Sequence, residues 1–363
     1  MYNYLNMGLL SPSTSGVVDD VVLRSSLAAL TAFVASLLLG TKFIEKLREC
    51  KVSEDVSKTP SDTIKRLHAD KKGTPTMGGI TILLSVFIAT GIWCDLTNSS
   101  IVALLSAALG LGALGFADDY IKLTDKHSMG LSDRTKLFFQ LVIGLLLGIF
   151  LYQHFSDLDV GTRITLPILK DTALELGWFY VVLAMFYIAW TSNAVNITDG
   201  LDGLAIGCAI MASLVFCVVA YVVGDWETSR FFGVQHVPGT KELSIFCAAL
   251  AGSGLGFLWY NGFPAQTFMG DIGSLSVGGV LALVALLTKQ EILLVLIGIV
   301  FMVEAMSVFI QVVVFKVSGR RVFRCAPLHH HFQFIGWPET KITVRFWILT
   351  AVMSLLGLLV FRI

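Results

Sequence analysis

Ten apolar runs, each close to the roughly 17–25 residues a helix needs to cross a bilayer, constrain this chain more than any motif in it. They lie near residues 21–44, 77–94, 100–116, 136–155, 177–195, 204–223, 243–260, 273–288, 292–315 and 343–361. Backbone polar groups in lipid must be satisfied within their own segment, so such runs are expected to be helices. The expected fold is an all-α polytopic membrane protein, a single integral-membrane domain over 1–363. Composition agrees: 55% of the 363 residues are hydrophobic and 14% charged, with a mean hydropathy of +0.77. The eighth run is the weakest, because it is short and opens on Gly273 and Ser274. The ninth carries Glu304 and Gln311, seven residues apart and hence on one helix face, which must turn into the bundle. There they serve either a structural contact between helices or chemistry.

Loop charge predicts the orientation. The odd-numbered loops hold 18 Lys and Arg, among them Lys71, Lys122, Lys136, Arg320 and Lys341, and the even-numbered loops hold 5. Positive charge concentrates on the cytoplasmic side, so the odd loops face the cytoplasm and both termini lie outside. The even loop 156–176 holds ITLPIL beside Gly161 and Pro167, which suits a small extracytoplasmic β-hairpin. The N-terminal stretch lacks a basic leader, so no cleaved signal peptide is expected. A net charge of zero gives no bias towards nucleic acid. The six cysteines are scattered and form no CxxC pair, as expected of small buried hydrophobes.

The unusual polar clusters all fall in odd loops. In Ser192–Gly203, Asn193, Asn196, Asp199 and Asp202 recur every three residues, and on a helix they would line one slowly winding stripe. Gly200 and Gly203 permit a bend or a close approach to a ligand. A polar loop capping the next helix would account for one such residue; four at this spacing point to a site. The stretch 68–79 sets lysines beside a Gly/Pro/Thr turn at a helix start, either an ordinary basic loop or a holder of phosphate oxygens. Asp118 and Asp119 are adjacent at a membrane boundary, where their repulsion calls for a cation. Neighbours on a helix point about 100° apart, so they are expected to play different roles. Asp271, between glycines at a helix start, is either an N-cap or a Mg²⁺ ligand. Phe268 is either an apolar anchor or a stacking face for a base. His329, His330 and His331 are consecutive and cannot share one face, so they make a poor zinc cage. Donors to phosphate, or a general acid or base, fit them better. Carboxylates without a Cys/His quartet suggest Mg²⁺. Lysines, glycine turns and histidines at the face of a membrane bundle suggest phosphoryl chemistry on a lipid carrier.

The stretches DKKGTPTMGG, FADDYIKL, NAVNITDGLDGLAIG, FPAQTFMGDIGSLS and APLHHHF occur in that order. From about residue 20 onward the chain resembles the polyprenyl-phosphate N-acetylhexosamine-1-phosphate transferases. The TPTMGG and PLHHHF forms and Trp337-Pro338-Glu339 resemble the branch that transfers phospho-N-acetylmuramoyl-pentapeptide. The resemblance implies a Mg²⁺-dependent enzyme of the bacterial cytoplasmic membrane, with its active site facing the cytoplasm. Its substrates would be UDP-MurNAc-pentapeptide and undecaprenyl phosphate, and its products UMP and lipid I for peptidoglycan synthesis. It also implies ten transmembrane helices, a bent ninth helix and a homodimer. Carried over by motif, Asp271 would bind Mg²⁺. Asp118 would be a base for the lipid phosphate or a covalent nucleophile, and Asp119 and His329 would complete the catalytic set. Lys71, Gly200, Leu201, Asp202, Asn261 and Phe268 would hold the uridine, with Phe268 stacked on uracil. Asn196 and Asp199 would line the cleft, Thr76 and Asn193 would also bind substrate, Lys122 and Lys136 would meet phosphate or sugar, and His330 and His331 would lie near sugar or peptide.

Two other readings compete. A sister transferase using UDP-GlcNAc differs in sugar-nucleotide preference, expected to be decided around 329–339. A transporter would place polar residues at mid-membrane from both sides. Here, Glu304 and Gln311 apart, they gather at one face, which argues against transport.

Overall fold

The structure, a computed structural model, describes residues 20–49, 71, 73–124, 130–158, 160–166 and 169–362. His68, Asp70, Lys72, Cys50, Lys126 and Pro167 lie outside them. Among the described residues, ten apolar segments stand where the sequence places them. They are α1 (Val21–Glu49), α2 (Gly79–Trp93), α3 (Ser99–Thr124), α4 (Asp133–Asp157), α5 (Phe179–Thr198), α6 (Leu204–Gly224), α8 (Leu243–Asn261) and α9 (Gly270–Leu287), then the pair α10 (Glu291–Ile297) and α11 (Ile299–Ser318), and last α13 (Glu339–Arg362). Two short helices, α7 (Trp226–Phe232) and α12 (Leu328–Ile335), lie between spans. Nine helices among the described residues have the length and hydropathy to cross a membrane, and α2 is apolar but shorter. Polar side chains set several helix starts: Ser132 accepts from the Thr135 N–H at α4, and Asp225 from the Thr228 N–H at α7. The ninth run is broken at Gly298, which makes it two helices rather than one.

The expected hairpin is present: β1 (Arg163–Leu166) pairs antiparallel with β2 (Leu169–Glu175), with Arg163 opposite Glu175. Cys94, Cys208, Cys217, Cys247 and Cys325 are free thiols.

The helix that looks weakest as a span, α9, is the centre of the bundle. Of its most apolar stretch, 94% is buried inside the protein, against 22% for α13 and 28% for α11. Its small residues explain why. Lipid gives helices no hydrophobic drive to associate, so close backbone approach at small residues holds them together. Gly115 of α3 lies directly against the Asp271 carbonyl, and Gly79 of α2 against the backbone of Gly273. Gly278 of α9 faces the Thr191 carbonyl of α5, where a Cβ would stand 2.7 Å away. The glycines and serines that lower the hydropathy of α9 thus bring α2, α3 and α5 to its N-terminal half, where Asp271 sits.

Gly115 and Gly91 test this packing. A Cβ on Gly115 overlaps backbone atoms of Asp271, whereas one on Gly91 meets nothing within 4 Å. Gly115→Ala is expected to lower the thermal midpoint in detergent, in keeping with overpacking costs of about 1–3 kcal/mol. Gly91→Ala is expected to hold or slightly raise it. Equal midpoints for the two variants would contradict the close α3–α9 contact.

Candidate active site

Asp118 and Asp119 lie near the C-terminal end of α3, and Asp271 in the first turn of α9. Each offers a carboxylate oxygen within 4.8 Å of the others, and all three residues are buried. Acids near a helix C-terminus oppose its dipole, so this placement needs compensation. Much of it comes from two lysines. Lys122, one turn beyond Asp118, has its Nζ 2.6 Å from Asp118 Oδ2, 3.4 Å from Asp271 Oδ2 and 3.8 Å from Asp119 Oδ1. Lys136, in the first turns of α4, lies 2.5 Å from Asp271 Oδ2 and 3.3 Å from Asp118 Oδ1. Backbone and amide donors supply the rest. Leu131 N–H donates to Asp118 Oδ1 at 2.8 Å, Ile272 N–H to Asp119 Oδ2 at 3.4 Å, and Asn196 Nδ2 to Asp271 Oδ1 at 2.8 Å. The start of α9 thus faces the acidic end of α3.

The two adjacent aspartates have different surroundings, as their spacing on a helix leads one to expect. Asp118 faces both lysines, and Asp119 faces the start of α9. Two glycines make room for them. Gly130 has φ +92° and Gly270 φ +71°, and a Cβ would stand 2.7 Å from Asp118 Oδ1 at the first and 2.5 Å from Asp119 Oδ2 at the second. No other residue type meets both the backbone angle and the space.

The stripe expected at 193–202 is divided. α5 ends at Thr198, and Asp199 closes it, donating its N–H to the Val195 and Asn196 carbonyls. Gly200 and Gly203, the latter at φ +72°, carry the chain through a turn instead of a further helical turn. Asn193 and Asn196 therefore stay on the helix while Asp202 swings elsewhere. Asn193 Nδ2 donates to Gln140 Oε1 at 2.8 Å, a contact between α5 and α4. Asn196 also donates to Ser274 Oγ at 2.8 Å. Leu201 is buried beside the turn. Asp202 Oδ1 accepts from Lys71 Nζ at 2.6 Å and its Oδ2 from the Ala265 N–H at 2.9 Å.

The chain between α8 and α9 completes this side. Asn261 Oδ1 accepts from the Gly203 N–H at 3.0 Å, and its Nδ2 donates to the Thr267 carbonyl at 2.9 Å. Its amide thereby couples the 199–203 turn to the loop that leads to Asp271. Phe268 is half-buried, with its N–H on the Pro75 carbonyl and its ring centroid 5.8 Å from Lys71 Nζ. Thr76 stands beside Gly270, its Oγ1 3.1 Å from where a Cβ would be.

The three histidines diverge. His329 is buried, and Glu304 holds it with both oxygens: Oε1 accepts from its N–H at 3.0 Å and Oε2 meets Nδ1 at 3.2 Å. Among the described residues His329 Nε2 has no hydrogen-bond partner, and it points at Gly200, where a Cβ would overlap it. His330 Nδ1 pairs with Gln333 Oε1 at 2.8 Å, and His331 Nδ1 accepts from the Arg324 N–H at 3.1 Å. Gln311 Oε1 accepts from the Val322 and Phe323 N–H groups. Gln311 is thus a structural tie, and Glu304 orients a candidate catalytic imidazole. The sequence marks both as polar residues on one face of an apolar run, but not what either one meets.

Chemically, the site offers three buried carboxylates of hard oxygen donors, two lysines at their edge and an imidazole with one free nitrogen. Such donors fit Mg²⁺ better than Zn²⁺. Residues 101–289, just over half the chain, match the model of the family described as Glycosyl transferase family 4. The matched region contains Asp118, Asp119, Lys122, Lys136, Asn196, Asp202 and Asp271, and ends before Glu304 and His329.

Removing the charge of Glu304 tests its hold on His329. Glu304→Gln keeps the volume and one acceptor but lets the imidazole take another tautomer. By analogy with the partners that orient metal-bound imidazoles, a loss of about 10–100-fold in transfer activity is expected, with the thermal midpoint retained. Wild-type activity in this variant would remove His329 from the chemistry or Glu304 from its support.

Proposed function

Because the chain belongs to glycosyl transferase family 4, whose members transfer a sugar phosphate from a nucleotide sugar to polyprenyl phosphate, we propose a specific acceptor and donor for it. The donor is UDP-MurNAc-pentapeptide and the acceptor undecaprenyl phosphate, giving lipid I and UMP. One observation carries the reading. The acidic cluster is joined through Asn196, the 199–203 turn and Asn261 to the Lys71–Phe268 pair, and His329 Nε2 faces that same turn. The turn that follows Asn196 thus meets both an aromatic face of nucleoside size, through Asp202 and Lys71, and the His329 imidazole. The muramoyl-pentapeptide branch rests on the TPTMGG, PLHHHF and Trp337-Pro338-Glu339 forms.

Asp271, with Asp119 beside it, would hold Mg²⁺, which when bound offsets negative charge on the diphosphate. Lys122 and Lys136 reach the same oxygens from the cluster's edge and add to that offset. Asp118 takes the proton of the lipid phosphate. An oxygen of that phosphate then attacks the phosphorus bearing the sugar, and the bond to UMP breaks. Phe268 stacks on the uracil, and Lys71 and Asp202 hold the nucleoside beside it. His330 and His331 lie on the sugar and peptide side. Loop charge supports a cytoplasmic site in a bacterial cytoplasmic membrane, in one integral-membrane domain that works as a homodimer.

One assay tests both the substrates and the role of Asp118. UMP release is measured from detergent-purified protein with Mg²⁺, undecaprenyl phosphate and either UDP-MurNAc-pentapeptide or UDP-GlcNAc. Release is expected with the muramoyl donor; preference for UDP-GlcNAc would overturn the reading. A phosphate monoester's second pKa is about 6, so a base is needed most at low pH. Asp118→Asn is therefore expected to be most defective at pH 6 and to recover partly towards pH 9. A variant dead throughout points to a covalent nucleophile, because an amide forms no acyl phosphate at any pH.

A further inference from the structure

We infer that Glu339, at the start of α13, is a positioning residue of the nucleotide site, holding the Lys71 ammonium and the Asp202 main-chain N–H in the orientation that receives the nucleoside. This rests on the uridine-nucleotide reading above.

A single oxygen does the holding. Glu339 Oε1 accepts from Lys71 Nζ at 2.6 Å and from the Asp202 N–H at 2.7 Å. Lys71 Nζ is also 2.6 Å from Asp202 Oδ1, so one ammonium lies between two carboxylates. The side chains are 13%, 2% and 10% exposed for Lys71, Asp202 and Glu339, so solvent screens these contacts little. Glu339 stands in the first turn of α13, where the helix dipole favours its charge.

The contact spans the sequence. Lys71 precedes α2, Asp202 is in the turn between α5 and α6, and Glu339 is 268 residues from Lys71. α13 does not depend on Glu339 for its seat against that turn. Ile342 is fully buried, Thr343 Oγ1 donates to the Asp202 carbonyl at 3.4 Å, and Trp347 Nε1 donates to the Gly203 carbonyl at 3.2 Å. Those three hold the helix; Glu339 alone reaches past the turn to Lys71. A lysine side chain has four rotatable bonds, and fixing it in one rotamer costs conformational entropy. Two acceptors fix this one in advance, 5.8 Å from the Phe268 ring centroid. An ammonium has three donors, and among the described residues the third is left for a ligand on that ring. Without Glu339, Lys71 keeps only Asp202 as a carboxylate partner among the described residues, and the Asp202 N–H loses its acceptor.

The test uses the full-length protein in detergent. Binding of UMP, CMP, AMP and GMP is measured by calorimetry, and KM and kcat for UDP-MurNAc-pentapeptide by UMP release. The variants are Glu339→Ala and Glu339→Gln. The Gln variant keeps the volume and an acceptor oxygen, so it serves even if the Ala variant fails to fold. Glu339→Ala is expected to raise the UMP Kd and the substrate KM about tenfold, the scale of a lost hydrogen bond to a charged group. Glu339→Gln is expected to show a smaller rise in both, with kcat in each variant within about twofold of wild type. A Kd unchanged in both variants for whichever nucleotide the wild type binds would overturn the inference, as would a fall in kcat at constant KM. A wild type that prefers another nucleotide, with that affinity weakened by Glu339→Ala, would fail the uridine reading and uphold the role of Glu339.

Discussion

Three carboxylates gathered at one end of a helical bundle repel one another, and most of the site's construction answers that repulsion. At the 4.8 Å that bounds their spacing, and an effective dielectric constant of about 20, each ionised pair repels by roughly 3–4 kcal/mol. The start of α9 is brought against the acidic end of α3, so N–H groups and a favourable dipole face the acids. Lys122 and Lys136 come from two different helices to the same oxygens. Asn196 donates from a third. An arrangement that concentrates negative charge and lines it with cations is suited to a substrate that is itself a diphosphate, with a divalent cation between them.

Close packing makes this possible. Gly115 and Gly79 let α3 and α2 touch the backbone of α9, and Gly130 and Gly270 let loops pass the carboxylates. The same economy of small residues recurs at Gly200, which faces His329 Nε2. The helices position the acids, and the segments between helices position everything that surrounds them. The chain from Asn261 to Asp271 is the join. It accepts the 199–203 turn at one end, pairs with 75–79 through main-chain hydrogen bonds at Phe268 and Met269, and delivers Asp271 to the cluster.

The spans were legible because lipid demands long apolar helices, and that demand is written locally. The eighth was misleading for the same reason. Hydropathy measures fitness for lipid, and α9 meets almost none, so its glycines and serines lowered the signal while marking its burial. The break at Gly298 had no signature in the apolar pattern of its run; only the resemblance implied a bend. The divergence of His329, His330 and His331 and the unlike settings of Asp118 and Asp119 followed from helical geometry over one or two residues. The Asn193–Asp202 stripe failed because periodicity assumes a continuing helix, and Gly200 and Gly203 end it. What no local rule reveals is partnership at distance. Glu304 meets His329 25 residues on, and Glu339 meets Lys71 268 residues away. Both are set by how the last spans pack.

The central claim is that the cluster of Asp118, Asp119 and Asp271 takes one divalent cation, held by Asp271. Crystals of the protein grown with Mn²⁺ in place of Mg²⁺, measured at the manganese absorption edge, locate the ion by its anomalous signal. The expected result is one strong peak in contact with Asp271 and among the three carboxylates, lost in Asp271→Asn. A peak elsewhere, or one undiminished in the variant, would contradict the account.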